Sequence, residues 1–307
     1  MKLQLVQYAL GQDVQNTLDL SPAIDLSTLI KIQRKSGIFS RQICAVHESA
    51  ISLAKKIIAS PAINETIKEL DLIIVVSESK ESPVPPISSL ILDESGLLDG
   101  ALVLDLDSGC AGYVQALQMV DAFFQDSRFR KAAIITTDAY SKILNLSDRS
   151  VAPIFGDGAS ISVLSNDGVK SVRSFDNGTD AAKYSYLKTT NGFNRSLEMN
   201  GAEIFMFVKA RVAKSIRRCV EKGACALGEI DYFFLHQASA LVIEELRGEL
   251  DIDEKISPFK VSETGNLVST SIPFALSEYI NEVRNKKIIL SGFGVGLTWS
   301  TALVEFG

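Results

Sequence analysis

Short apolar runs recur along this chain and restrict its fold more than any other feature. Leu72-Ile73-Ile74-Val75-Val76, Ala101-Leu102-Val103-Leu104-Asp105-Leu106 and Ala132-Ala133-Ile134-Ile135-Thr136-Thr137 are too short for buried helices and too apolar for strands with one wet face. Between them lie segments of helical spacing, such as Ser49 to Ala59 and Gly112 to Val120. Apolar strands alternating with helices predict an α/β chain whose parallel sheet is covered on both faces. Pro83, Pro85 and Pro86 mark the start of Ser77 to Ser89 as a loop, and Phe155-Gly156-Asp157-Gly158-Ala159 reads as a tight turn before a strand at Ser160 to Leu164. Past Ser165 the pattern restarts. A polar stretch reaches Asn200, a helix is predicted from Ala202 to Lys222, and strands follow at Tyr232–Leu235, Ile288–Leu290 and Ser300–Phe306. The chain therefore divides into two α/β halves, residues 1–165 and 166–307, with no residue-by-residue repeat between them.

With 307 residues, the chain has room for one large α/β domain or two smaller ones. A formal charge of −6 argues against a general nucleic-acid binder, which needs a basic surface. Four cysteines without a C-x-x-C pair and only two histidines argue against a zinc site and fit a reduced, cytoplasmic setting. No stretch is apolar enough for a membrane span, and the first residues are too polar for a signal peptide.

Cys110 stands in Asp107-Ser108-Gly109-Cys110-Ala111-Gly112, between a predicted strand and a predicted helix. Unpaired N–H groups at a helix start favour a thiolate, and small neighbours let a substrate approach. The other reading of such a cysteine is a small core hydrophobe. His236 closes the strand Tyr232–Leu235, at the strand end where open α/β sheets bind ligands. His47 has no chemistry-bearing neighbours and reads as structural or exposed. Thr264-Gly265-Asn266-Leu267 marks a turn before a helix beginning near Ser269-Thr270-Ser271, and Ser291-Gly292-Phe293-Gly294-Val295-Gly296 reads as a glycine-rich donor loop after a strand. Each signal is weak alone. Together, Cys, His, Asn and a glycine-rich segment supply a nucleophile, two polar donors and an oxyanion site. A papain-like peptidase would place its cysteine near the N-terminus in a different context.

The same segments resemble the β-ketoacyl-acyl-carrier-protein synthase III family of thiolase-fold condensing enzymes. Ser36-Gly37-Ile38, Leu72-Ile73-Ile74-Val75, Asp107 to Gly112, Asp148-Arg149-Ser150 and Phe155 to Ala159 carry the resemblance in the first half. Leu197-Glu198-Met199-Asn200-Gly201, His236-Gln237-Ala238, Gly265-Asn266 and Gly292-Phe293-Gly294 carry it in the second. The resemblance implies a five-layered αβαβα fold with mixed sheets. It implies that Cys110 carries an acyl group while the backbone N–H groups of Cys110 and Gly294 hold the oxyanion. His236 and Asn266 then stabilise the enolate formed as a malonyl thioester loses carbon dioxide, and a 3-oxoacyl product results. It further implies a homodimer, an acyl carrier protein as partner and no cofactor. Acyl-coenzyme A or acyl-carrier-protein thioesters are the substrates, and Arg149, Pro85 and Met199 fall at substrate-binding positions.

The chain departs from the family in places. The family's tryptophan that stacks on coenzyme A adenine is missing from the front, and the single tryptophan is Trp299. Arg149, the other half of that clamp, is present. A carrier-bound primer is therefore expected over coenzyme A. Pro85 stands where many members have a phenylalanine reaching the partner subunit. Ser239, Leu241 and Leu267 are further differences, and together they point to a specialised pathway more than to fatty-acid initiation. Arg211, Lys214, Arg218 and Lys222 share one face of the predicted helix, opposite Val208, Val212, Ile216 and Cys219, and form a candidate docking stripe for an acidic carrier. Two other functions fit the same residues: acyl transfer to oxygen or nitrogen through the same acyl-cysteine, and a silent partner subunit.

Overall fold

The computed structural model describes residues 1–93, 95–97, 99–166, 171–190 and 195–306. Parts of the polar connection between the halves, at 167–170 and 191–194, lie outside the described residues. Two sheets face each other. The first contains β1 (Lys2–Leu10), β2 (Leu72–Val76), β3 (Leu102–Leu106), β4 (Lys131–Ala139) and β5 (Asp157–Ser165), in the order β1-β5-β4-β2-β3. The second contains β6 (Val172–Thr179), β7 (Tyr232–Leu235), β8 (Lys287–Gly294) and β9 (Thr298–Glu305), in the order β7-β8-β9-β6. Both sheets are mixed. β2 runs parallel to β3 and β4, whereas β5 is antiparallel to both β4 and β1.

Alternation along the strands builds the layers. Leu72, Ile74 and Val76 point towards the second sheet and share a core with Phe234, Ile288, Leu290 and Ala302. Ile73 and Val75 point the other way, into a core closed by α1 (Ala50–Ile58). Phe233, Leu235, Ile289 and Leu303 turn outward from the second sheet against α3 (Gly201–Lys222) and α4 (Ala240–Leu250). Between the sheets lie α2 (Gly109–Phe123) and α5 (Ser271–Ser277). The sequence Gly112-Tyr113-Val114-Gln115-Ala116-Leu117 suits this middle layer because its apolar residues are spread around the helix rather than along one stripe. The result is an αβαβα sandwich.

A predicted turn and part of a predicted loop are instead strand. Asp157 and Gly158 begin β5, because the Asp157 carboxylate accepts the Cys44 N–H at 2.7 Å and the Ser141 N–H at 2.9 Å. These bonds bring two loops to it and let the strand start there. Ser291 to Gly294 continues β8, paired to β9 as far as Gly294↔Thr298. The first residues also prove to be strand, paired to β5. Among the described residues, no helix is long and apolar enough to cross a membrane.

The middle layer is where a lost side chain is felt most. Leu117, fully buried between the sheets, is expected to cost about 2–5 kcal/mol on replacement by alanine. Leu146→Ala, at a half-exposed position, should change stability by less than about 0.5 kcal/mol. Denaturant unfolding of the two variants measures the difference.

Candidate active site

Cys110 lies in the first turn of α2 and is 6% exposed. Gly109 before it has φ +40°, a conformation that favours glycine. A side chain there would also collide with the Glu78 carboxylate, whose Oε2 lies 2.4 Å from the position of a Cβ. On the other side runs β8. A Cβ on Gly292 would sit 2.4 Å from the Cys110 carbonyl oxygen, and one on Gly294 would sit 3.2 Å from Cys110 Sγ. Glycine at these places lets the strand backbone reach Cys110, and the segment expected as a donor loop is an extended strand as far as Gly294.

The same strand holds the histidine. The His236 N–H donates to the Ser291 carbonyl at 2.8 Å, and the Phe293 ring meets the imidazole edge-on, with centroids 5.3 Å apart. Nδ1 of His236 lies 2.7 Å from Ser271 Oγ, which also accepts the Gln237 N–H at 3.3 Å. The buried Ser271 hydroxyl has one proton, and His236 Nδ1 is the acceptor in reach. With Nδ1 accepting from Ser271, we assign the ring proton to Nε2. Asn266 is oriented from behind in the same manner. Its Oδ1 accepts the Val268 N–H at 2.9 Å, so Nδ2 points forward, 3.5 Å from His236 Nε2. Val268 adopts φ +53°, a costly conformation for a β-branched residue, and the bond to Asn266 spans that strained turn. Two N–H donors therefore converge where an oxyanion would be held. Burial pushes His236 down to about 3, so both donors are neutral.

The electrostatics around Cys110 are opposite to those a helix start alone suggests. Burial, then the Glu78 and Asp138 carboxylates, push the thiol well above its ordinary range. The expected thiolate-favouring effect of the helix N-terminus is outweighed. Glu78 is itself pushed up to about 7 by burial and by Asp138, and Tyr140 donates to its Oε2 at 3.0 Å. Glu78, Asp107, Tyr140, Leu197 and the Val295–Gly296 segment line a cavity of about 480 Å³. A second hollow of about 790 Å³ adjoins it at Lys80, Pro83, Ile143 and Arg195.

Other candidates lie elsewhere. Pro85 is exposed and lines neither hollow, whereas Pro83 lines both. Met199 is half-buried in a short ribbon opposite Leu187, and its neighbour Leu197 is the one facing the cavity. Arg149 is exposed. Trp299 is buried against Phe207. Ser239 accepts the Val242 N–H at the start of α4, and Leu241 is exposed. His47 is exposed. The basic stripe on α3 is less basic than its sequence suggests, because Asp176 on β6 pairs with Arg218 at 2.7 Å and with Lys222 at 2.8 Å. Arg211 lies 3.7 Å from Asp180. Sequence reasoning missed Glu78 and Ser271. Glu78 follows the carboxyl end of a buried parallel strand, the same signal that singles out His236.

The fold and this constellation define a thiolase-fold condensing enzyme. Residues 104–181 match the family described as 3-Oxoacyl-[acyl-carrier-protein (ACP)] synthase III, and residues 220–306 match the description of its C-terminal part. The chain is 31% identical to the beta-ketoacyl-[acyl-carrier-protein] synthase III of Streptococcus agalactiae serotype III (strain NEM316), over 98% of each chain. It superposes on the 3-oxoacyl-[acyl-carrier-protein] synthase III of Aquifex aeolicus VF5 with a TM-score of 0.92 and 26% identity, covering 99% of both chains. The priming beta-ketosynthase of the R1128 polyketide biosynthetic pathway gives a TM-score of 0.91 and 25% identity, covering 99% of this chain and 96% of that one. This chain belongs to the 3-oxoacyl-acyl-carrier-protein synthase III family.

The buried neutral histidine makes stability depend on pH. Its folded pKa lies below the unfolded value of 6.5, so the unfolded state binds the proton first. That contribution is present above about 6.5 and is lost as pH falls towards 3. Denaturation midpoints should therefore fall less between these pH values for His236→Gln than for the wild type. Nitrogen NMR of the wild type should show a neutral, Nε2-protonated His236 from about pH 5 to 8.

Proposed function

We propose that the chain transfers an acyl group from a thioester donor to Cys110 and condenses it with a malonyl thioester. The observation that carries this reading is the pair of neutral donors, His236 Nε2 and Asn266 Nδ2, 3.5 Å apart and each oriented from behind. Cys110 Sγ attacks the donor carbonyl, the backbone N–H groups of Cys110 and Gly294 hold the tetrahedral oxyanion, and the donor thiol leaves. A malonyl thioester then binds with its carbonyl oxygen between His236 and Asn266. Its carboxylate leaves as carbon dioxide, and the electron pair passes to the α-carbon as an enolate held by both donors. The α-carbon attacks the acyl-cysteine, the C–Sγ bond breaks, and the released thiolate takes up a proton as the 3-oxoacyl thioester departs. Neutral donors suit this step because neither needs to surrender a proton.

A carrier-bound primer is favoured over coenzyme A, since the buried Trp299 leaves Arg149 without an aromatic partner for an adenine ring. Arg149 and Met199 keep substrate-contact roles in this proposal, and Lys214, with the more loosely paired Arg211, remains as a carrier-docking candidate on α3. The charged cavity lining, with Glu78, Lys80, Asp107 and Arg195, supports a primer other than a plain acyl chain and hence a specialised pathway. We place the enzyme in the cytoplasm as a homodimer. β3 is an edge strand, half-buried along its length and apolar except for Asp105, and a second copy pairing there would cover it.

Intact-mass spectrometry after mixing with acyl-coenzyme A and acyl-carrier donors should show an adduct on the wild type and none on Cys110→Ala. Asn266→Asp replaces a donor by an acceptor of the same shape and should lower malonyl-dependent carbon dioxide release by about 100-fold or more, with Cys110 acylation retained. Normal carbon dioxide release would remove Asn266 from the mechanism. Leu104→Arg, on the edge strand, should halve the mass seen by sedimentation if the dimer forms there; an unchanged mass would place the interface elsewhere.

A further inference from the structure

The condensing steps give Glu78 no task, yet its carboxyl group is packed into the wall of the nucleophile's turn. It follows β2 at the carboxyl end of the strand, and its Oε2 fills the space a Cβ on Gly109 would need. It lines the cavity. Among the described residues its one side-chain hydrogen bond is from Tyr140, at 3.0 Å, and Tyr140 packs in the same cluster as Cys110. Lys80, which lines the cavity with Lys188 and Arg195, pairs with Asp107 at 2.5 Å.

The other bases near Cys110 are engaged. His236 Nδ1 is engaged with Ser271, and the tautomer assigned above puts the ring proton on its other nitrogen. Asp138 accepts the Glu78 N–H, the Ser79 hydroxyl and both the N–H and the hydroxyl of Ser269. We propose that Glu78 is the proton acceptor for Cys110 during acylation and the proton donor to the departing thiolate. This assignment rests on the acyl-cysteine reading above. The Cys110 S–H proton passes to the Glu78 carboxylate as Sγ forms its bond to the donor carbonyl carbon. When the donor C–S bond breaks, the leaving thiolate takes that proton, and Glu78 returns to its ionised form. Its elevated proton affinity, set by burial and Asp138, suits both directions of transfer near neutral pH.

Single-turnover acylation of Cys110, followed by intact mass from about pH 5.5 to 9, separates this role from a structural one. In the wild type the rate should rise as Glu78 ionises and level above about 7. Glu78→Gln should acylate at least about 10-fold more slowly at neutral pH and lose the plateau, its rate climbing with pH as the thiol itself ionises. Carbon dioxide release from malonyl thioester by acylated Glu78→Gln should stay within about 3-fold of wild type, because the two donors at His236 and Asn266 are untouched. Tyr140→Phe removes a hydrogen bond that lowers the Glu78 pKa, so its inflection should move to higher pH. Wild-type acylation rates and plateau in Glu78→Gln would overturn the proposal alone, as would equal loss of acylation and carbon dioxide release. Absence of an adduct on the wild type with every donor would overturn the acyl-cysteine reading and this proposal with it.

Discussion

The helix beginning at Gly109 is packed by sheet on two sides, and the site takes its character from that burial. A helix start exposed to water offers its unpaired N–H groups to an anion, and a cysteine there tends to ionise. Here the first turn of α2 is enclosed by β8 on one side and by Glu78 on the other, so solvation no longer supports a thiolate. Glycines at 109, 292 and 294 are the geometric condition for the enclosure, since a methyl group at any of them would meet neighbouring atoms within 3.2 Å. The Cys110 sulfur is therefore positioned closely and its thiol form favoured by one and the same packing.

The surroundings of Cys110 are electrostatically unequal. On the side of His236 and Asn266 the groups are neutral donors, held by Ser271 and the Val268 N–H. On the side of Glu78 and Asp138 they are buried carboxylates, pushed up to about 7 and about 6 respectively. A donor pair suits a developing oxyanion, while a carboxylate pair suits proton traffic at sulfur. The chain contributes these sides from different sheets. β2 and β4 lead to the carboxylates, and β7 and β8 hold the histidine.

Most of the layer architecture was legible in the sequence, because strands buried on both faces must be apolar at successive positions and few other structures demand that. Cys110 and His236 stand out in the sequence because each follows an apolar run that gives way to small or polar residues, and Asn266 because Gly265-Asn266 marks a turn before a helix. What the sequence hid was long-range satisfaction of polar groups. Asp157 reads as a turn residue until two distant loops are seen to donate to it. Arg218 and Lys222 read as free cations until Asp176, far away in the chain, is found between them. Ser271 looks like a helix start, and its contact with His236 comes only from the fold. Glu78 was visible in principle, at the end of a buried strand, but the prolines after it mark the segment as a loop and draw attention away.

One further connection bears on motion. Phe155, in the first half, and Asn266, in the second, form a parallel backbone bridge, with the Gly156 N–H donating to the Asn266 carbonyl at 3.0 Å and the Asn266 N–H donating to Ile154 at 2.9 Å. The backbone of a proposed enolate-holding residue is thus stitched to the half that carries Cys110. Separating the halves would break these bonds. Together with the core that the two sheets share, this seam ties the halves at both the backbone and the side-chain level.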